Sequence, residues 1–422
     1  MKKTASSKLQ TISGAKDAIT QTDPIWNQVL KGFYKIGQVY GFLRVETPIL
    51  EDSQLYRNFV KDSTQAEIET IPVQLGNHNY SVRPSLLPSV LRAYAQKKTD
   101  ELEPLSKWLY LGNVIKGSSE SGWNSDYEYG LETLGVFNHL TESQTIAASW
   151  QLVQHLGLTD ATLEINAIGD SACQQAYESV LKPYLKDNEF SLCENCLEQL
   201  RTRPFNVLRC ENESCQAVVA SAPTVLDFLD EANHKHFTSI LEALDELQIP
   251  YQLNPSLACR EGFSKTNVII RYRNGKEAVI LGQAGYHDEL LKNLGGKGLS
   301  GFGFNGSFLA LKQAMEMASI VVEPETDTEV FLVPLGDLAA KKSLRLFRDL
   351  IAEDVKVYDH FGTAGVKNQL KQAELSKSPI ALIMGQKEAM DEMVILRDVK
   401  SGMQELFSYD KIVVEVKKRL GH

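Results

Sequence analysis

Two apolar, β-prone runs constrain this chain most: WLYLGNVI at 108–115 and LETLGVF at 131–137, separated by the polar, Gly/Ser-rich stretch KGSSESGWNSDYEYG. Two such runs around a turn-forming segment predict paired antiparallel strands joined by a hairpin. Helical patterns precede them. Ile25, Val29, Leu30, Phe33, Ile36 and Val39 keep helical spacing, and Gly41 ends that helix. FLRVETPILE then reads as a strand carrying Pro48, and residues 79–95 as a short strand followed by a helix. This order predicts a large antiparallel sheet with helices packed on it.

The text changes at about 170. Four cysteines fall in a helix-rich stretch that closes with HFTSILEALDELQIPY near 248. Strand patterns resume at NVIIRY and EAVILGQ, and LKNLGGKGLSGFGFNGSF is a Gly-rich turn into a helix. The polar segment VEPETDTE at 322–329 reads as a linker. After it, VFLVPLG, a helix at 340–352, VKVYD, a helix near 364–376, IALIMG, MVILRDV and a last helix alternate as a separate α/β unit. A length of 422 residues agrees with two or three domains.

Apolar residues make up 43% of the chain and charged residues 23%, which excludes a disordered chain or a fibre. No apolar run approaches the ~20 residues of a membrane span. The lysines at the N-terminus are not followed by an apolar core, so no secretory signal is expected and the expected location is cytoplasmic. The net charge is −10, yet residues 331–422 hold 15 Lys/Arg against 13 Asp/Glu. A polyanion would therefore meet mainly the C-terminal part, and weakly.

Of six cysteines, four form Cys193-x2-Cys196 and, after thirteen residues, Cys210-x4-Cys215. A two-residue spacer lets one turn present two thiolates to a tetrahedral ion. In a reducing compartment this pattern points to a structural zinc site, the alternative being reduced thiols in a core. Cys173 and Cys259 lie outside the pattern and read as core residues. His234 and His236 nearby read as exposed helix positions.

Taken in order, these segments resemble histidyl-tRNA synthetases, class II aminoacyl-tRNA synthetases. SGAKDAI resembles the family's GMKDIL opening. GFLRVETPILE resembles motif 1, with Pro48 at a proline that lies at the family's dimer interface. VRPSLLPSVLRAY resembles LRPEGTAxxVRAY. YLGNVIKG and GLETLG resemble the YIGPMFRYERPQ and GVEVFG of motif 2. AGVKNQLKQA resembles the SLKKQLKYA of the anticodon-binding domain. The resemblance implies an α+β class II core over 1–169 and 249–325, a cysteine-bearing helical insertion over 170–248, and an anticodon-binding-like α/β domain over 326–422. It also implies a homodimer, and ATP with magnesium as cofactors if the chain is active.

Histidine activation joins a carboxylate to the α-phosphate of ATP, and cationic stabilisation dominates such chemistry. The family supplies arginines, whose planar fork holds phosphates bidentately. Here the motif 2 arginine falls on Lys116. The motif 3 segment GxGFAxSxER reads GFGFNGSFLA, placing Ala310 at the arginine. LVRGLDYY reads LACREGFS, so its arginine becomes Cys259; a one-residue slip would place Arg260 there, but NVII downstream favours no slip. The arginine of GGRYD becomes Tyr286. The glutamate of RPE that would receive the substrate ammonium is Ser85, the glutamine before GVE becomes Glu128, and the two tyrosines fall on Phe263 and Ser264. Glu132 matches the glutamate of GVE and would accept an imidazole N–H.

These substitutions favour a degenerate member of the family that binds tRNA or a protein partner over a working histidine–tRNA ligase. A third reading is a histidine-sensing regulator like the synthetase-like subunit of ATP phosphoribosyltransferase; the anticodon-like domain counts against it. Lys367, Gln369 and Lys371 are the residues expected to meet a tRNA stem, with Lys377 further along the same helix.

Overall fold

The computed structural model describes residues 23–61, 70–97, 104–118, 122–135, 137–258, 263–295, 298–322, 328–359 and 366–421. It divides into one unit ending at Val322 and a second beginning at Glu323.

Helix α1 (Pro24–Val39) starts where the Asp23 carboxylate accepts from the Trp26 N–H, with Pro24 at a position needing no N–H donor. Gly41 follows it at φ +78°, a turn that glycine adopts without strain. FLRVETPILE is not one strand but two short ones, β1 (Leu43–Arg44) and β2 (Leu50–Asp52). Arg83 fixes the break between them: its guanidinium donates to the Thr47 carbonyl at 2.8 Å and to the Asn113 carbonyl at 2.8 Å. Helix α2 (Ser53–Lys61), hairpin β3 (Ile71–Leu75) and β4 (His78–Val82), and helix α3 (Leu87–Gln96) follow. The long hairpin β5 (Leu105–Ser118) and β6 (Gly122–Gly135) absorbs most of the polar stretch expected as loop, with Lys116 paired opposite Asn124. One face of an antiparallel hairpin tolerates polar side chains, so composition alone did not end these strands.

Helix α4 (His139–His155) and strand β7 (Thr162–Gly169) lead into helices α5 (Ser171–Asp187), α6 (Glu194–Thr202), α7 (Glu213–Val219) and α8 (Glu231–Glu246). The unit closes with β8 (Gln252–Leu253), β9 (Ser264–Asn274), β10 (Glu277–Tyr286), α9 (Asp288–Asn293), β11 (Gly301–Ser307) and α10 (Phe308–Met317). Its main sheet runs β1-β5-β6-β11-β10-β9-β7-β8, antiparallel except for the parallel edge pairs β1/β5 and β7/β8. One face carries Leu131, Leu163, Val268, Ile270, Leu281 and Phe304, buried with α1, α4, α8 and α10 in one apolar core. The α8 residues Phe237, Ile240 and Leu244 belong to that core, so the last helix of the expected 170–248 insertion packs with the main body. A separate helical cluster is built on Tyr177, Leu181, Leu200, Val207 and Val218.

The second unit contains β12 (Val330–Pro334), α11 (Asp337–Ile351), β13 (Val357–Asp359), α12 (Val366–Leu375), β14 (Ile380–Met384), α13 (Gln386–Met390), β15 (Met393–Asp398), β16 (Gln404–Ser408) and α14 (Tyr409–Leu420). Its sheet order is β13-β12-β14-β15-β16, with the first three strands parallel. Strands β12 and β14 are buried throughout, as continuous apolar runs in a sheet covered on both faces require. No described helix is long and apolar enough to cross a membrane.

Candidate functional site

Strand alternation puts a set of polar residues of the main sheet on the face opposite α1, α4, α8 and α10. On β6, Glu128, Gly130 and Glu132 stand beside Ser307, Asn305 and Gly303 of β11. Gln283 of β10 continues the row from Asn305 to Ile269 of β9.

Glu132 is fully buried and its carboxylate is satisfied from within the protein. Tyr110 donates to Oε1 at 3.1 Å, and His287 Nε2 lies 2.6 Å from Oε2. His287 is itself only 1% exposed, with the edge of Phe263 packed against its ring at 5.7 Å. The glycine of β11 makes this approach possible: a Cβ on Gly303 would lie 1.8 Å from a Glu132 oxygen. Thus the imidazole acceptor expected at Glu132 already holds an imidazole, the protein's own.

The neighbouring carboxylates are also engaged. Ser85 Oγ donates to Glu128 Oε1 at 2.9 Å, and the Leu86 N–H donates to the same oxygen at 2.8 Å. Lys116 reaches Asp126 at 3.4 Å and Glu128 at 3.7 Å. Ser307 donates to Asp126 at 2.9 Å and accepts from the Ala310 N–H at 3.2 Å, capping α10. Among the described residues, Lys116 is the ammonium paired with Asp126 and Glu128, and the Arg83 guanidinium also acts on Glu128.

Tyr286 corrects an expectation. It pairs with Phe302 on the helix side of the sheet, where its hydroxyl bonds to the buried carboxylate of Glu142 and stands 3.3 Å from His236 Nε2. Its substitution for an arginine therefore removes no cation from the polar face. His236 is not an exposed helix position either; its Nε2 lies 3.1 Å from Glu142, while His234 is exposed. The cause is a bulge in β10 between Ile280 and Gly282, which reverses the faces of all later residues. The sequence reading did not single out His287, whose partner Glu132 lies 155 residues away. Cys259 and Arg260 lie outside the described residues.

The four cysteines do converge. Each sulfur of Cys193, Cys196, Cys210 and Cys215 lies within 4.8 Å of the others, and all are free thiols. The Cys193–Cys210 sulfurs are 3.8 Å apart, and the Cys193 N–H points at Cys215 Sγ at 3.1 Å. A tetrahedron with ~2.3 Å metal–sulfur bonds has edges of about 3.8 Å, so this donor set fits a tetrahedral ion. Backbone and thiol hydrogen bonds from Cys196 bring Cys193 down to about 7, while burial raises Cys196. Cys173 is buried, as expected.

In the second unit, Lys367 and Lys371 stand exposed on α12, whereas Gln369 is 3% exposed and donates to the Pro334 carbonyl at 3.1 Å. Gln369 tethers α12 to β12 and does not share the lysines' surface.

Residues 329–419 match the anticodon binding domain family. Over 417 residues, covering 97% of this chain and all of the relative, the chain is 27% identical to a histidine–tRNA ligase of Dehalococcoides mccartyi. It is 26% identical to that of Protochlamydia amoebophila over 94% of this chain and 95% of the relative. The apo histidyl-tRNA synthetase of S. aureus superposes with a TM-score of 0.78 at 22% identity, over 97% of this chain and 100% of that one. Over nearly its whole length the chain is similar to the histidyl-tRNA synthetase family. Its fold is the class II fold of that family, with a mixed sheet and a C-terminal anticodon-binding domain. A protein described as an ATP phosphoribosyltransferase regulatory subunit/histidyl-tRNA synthetase from Bacillus halodurans C also shares the fold, with a TM-score of 0.63 at 15% identity over 90% of this chain and 99% of that one.

Proposed function

We propose that this chain is a member of the histidyl-tRNA synthetase family that does not activate histidine and acts by binding tRNA. The observation that carries the reading is the Glu132 pocket, closed by Tyr110 and His287. A free histidine entering there would have to displace a buried, hydrogen-bonded imidazole of identical chemistry. Ser85 and Ala310 add to the argument, since neither supplies the charge the resemblance implies at those positions. Loss of one transition-state contact costs roughly 10²–10³ in rate, and several together leave little activation. The test is histidine-dependent ATP–pyrophosphate exchange by the full chain. Background exchange is expected, also after Lys116→Arg, while a rate near that of ordinary synthetases overturns the reading.

One observation favours a second reading, that of an active histidine–tRNA ligase using ATP and magnesium: the chain matches proteins of that name from end to end. The exchange assay separates the two.

Binding of tRNA is assigned to the C-terminal domain, on the match to an anticodon binding domain and on exposed Lys367 and Lys371. A homodimer is supported by apolar residues left exposed around motif 1: Val39 at 71%, Leu43 at 70% and Ile49 at 52%. A monomeric mass at micromolar concentration would remove that assignment. The fit of the four sulfurs supports one structural zinc per chain, held by Cys193, Cys196, Cys210 and Cys215, which would brace the helical insertion.

A further inference from the structure

The four thiols gathered by the insertion are not alike. Cys196 and Cys215 are 2% and 0% exposed and belong to the apolar cluster built on Tyr177 and Leu181. Cys193 and Cys210 lie at the rim of that cluster and are only partly buried. Their sulfurs are in contact at 3.8 Å, although the two residues stand 17 apart in the chain. Cys210 also lines a cleft of about 1030 Å³ between the insertion and the main sheet, whose other walls include Asn267 and Ile269 of β9. By spacing the chain pairs Cys193 with Cys196 and Cys210 with Cys215. By contact and exposure the fold pairs Cys193 with Cys210.

Small oxidants react at the thiolates that solvent reaches, and a second sulfur in contact captures the product before it oxidises further. We infer that Cys193 and Cys210 form an oxidation site, which hydrogen peroxide converts to a reversible disulfide across the two halves of the cysteine pattern. One thiolate of the pair attacks a peroxide oxygen; the O–O bond breaks, hydroxide leaves and a sulfenic acid stands on that sulfur. The other thiolate attacks the same sulfur; the S–S bond forms, the S–O bond breaks and a second hydroxide leaves. The two sulfurs give up two electrons, the peroxide takes them, and the two hydroxides take up two protons to become water.

The disulfide leaves Cys196 and Cys215 as half of a tetrahedral donor set, so the zinc assigned above departs as the bond forms. Only that release rests on the zinc reading; the disulfide needs the sulfurs alone.

The test is brief treatment of the full chain with hydrogen peroxide, blocking of free thiols, and digestion at glutamate without reduction. Cuts at Glu194, Glu211 and Glu213 put each of the four cysteines on its own peptide, so mass spectrometry reads the pairing directly. In chains that stay unlinked on a non-reducing gel, Cys193 joined to Cys210 outnumbers all other pairings together, and dithiothreitol returns both thiols. Zinc released to a chromogenic chelator rises in step with the disulfide. In protein that purifies without zinc the same disulfide forms, so failure of the zinc reading and failure of this one are told apart. A dominant Cys193–Cys196 or Cys210–Cys215 bond, sulfinic or sulfonic acid on these sulfurs without a disulfide, or four unreacted thiols each overturns the inference.

Discussion

Two ends of one sheet face differ in how their polar groups are met, although each holds a buried atom without a partner, His287 Nδ1 at one and Asn267 Oδ1 at the other. At the Glu132 end every carboxylate is met by a side chain or backbone group of the protein itself: His287 and Tyr110 on Glu132, Ser85 and the Leu86 N–H on Glu128, Lys116 and Ser307 on Asp126. At the β9 end Asn267 keeps an unmet oxygen beside a cluster of cations. Polar groups that satisfy one another exclude a ligand, because any ligand must first break paid-up bonds.

The largest test of this contrast removes the metal assigned to the insertion, whose Cys210 lines the open end. A structural zinc supplies roughly 10 kcal/mol to a small fold that depends on it. The insertion also has its own apolar cluster, so its loss is expected to be smaller, yet still the largest of the three effects. Chelation, or Cys196→Ser, should release one zinc per chain and speed amide exchange across 189–219, while amides of β5 and β6 stay protected. No metal in protein purified without chelators would end the zinc assignment. Uniform loosening of both ends would end the contrast.

The closed end is broken more gently. His287→Ala leaves the Glu132 carboxylate buried with one of its donors gone, and should cost about 3 kcal/mol in denaturant unfolding. Added imidazole should restore part of that loss by entering the vacated space, which a purely packing role for His287 would not predict. A variant as stable as the parent, with no response to imidazole, would show that this pair does not close the pocket.

The smallest effect concerns polar groups held outward rather than inward, Lys367 and Lys371 on α12. Lys367→Glu with Lys371→Glu should weaken tRNA binding by a similar factor for all tRNA sequences and lower the salt slope by about two. Binding by the parent should already be weak, since residues 331–422 carry only two more basic than acidic residues. Unchanged affinity and salt slope would take these lysines off the RNA surface.

Much of the molecule was legible in the residues. The strand runs at 108–115 and 131–137, the α/β alternation after 330 and the two cysteine pairs are local or periodic signals, and each reports on atoms a few residues apart. The ordered likeness to one family rested on the same signals. The directions of the side chains beyond Leu281 on β10 were not legible in the sequence, because a one-residue bulge turns Tyr286 toward Glu142 and His287 toward Glu132. Gln369, grouped with the lysines by position in the sequence, is two residues from each and so on the opposite side of α12, where it donates to the Pro334 carbonyl of β12.

What the sequence by itself determined is therefore the set of elements, their order and the proximity of donors close along the chain, because hydrophobic periodicity and short spacers act locally. Only the tertiary structure decided who satisfies whom. Glu132 and His287 are 155 residues apart, and they meet because β6, β11 and β10 lie side by side in one register. The open cleft over Asn267 likewise exists only where the insertion crosses β9. Register and the packing of one layer on another are set by many weak contacts at once, and no single stretch of the chain encodes them.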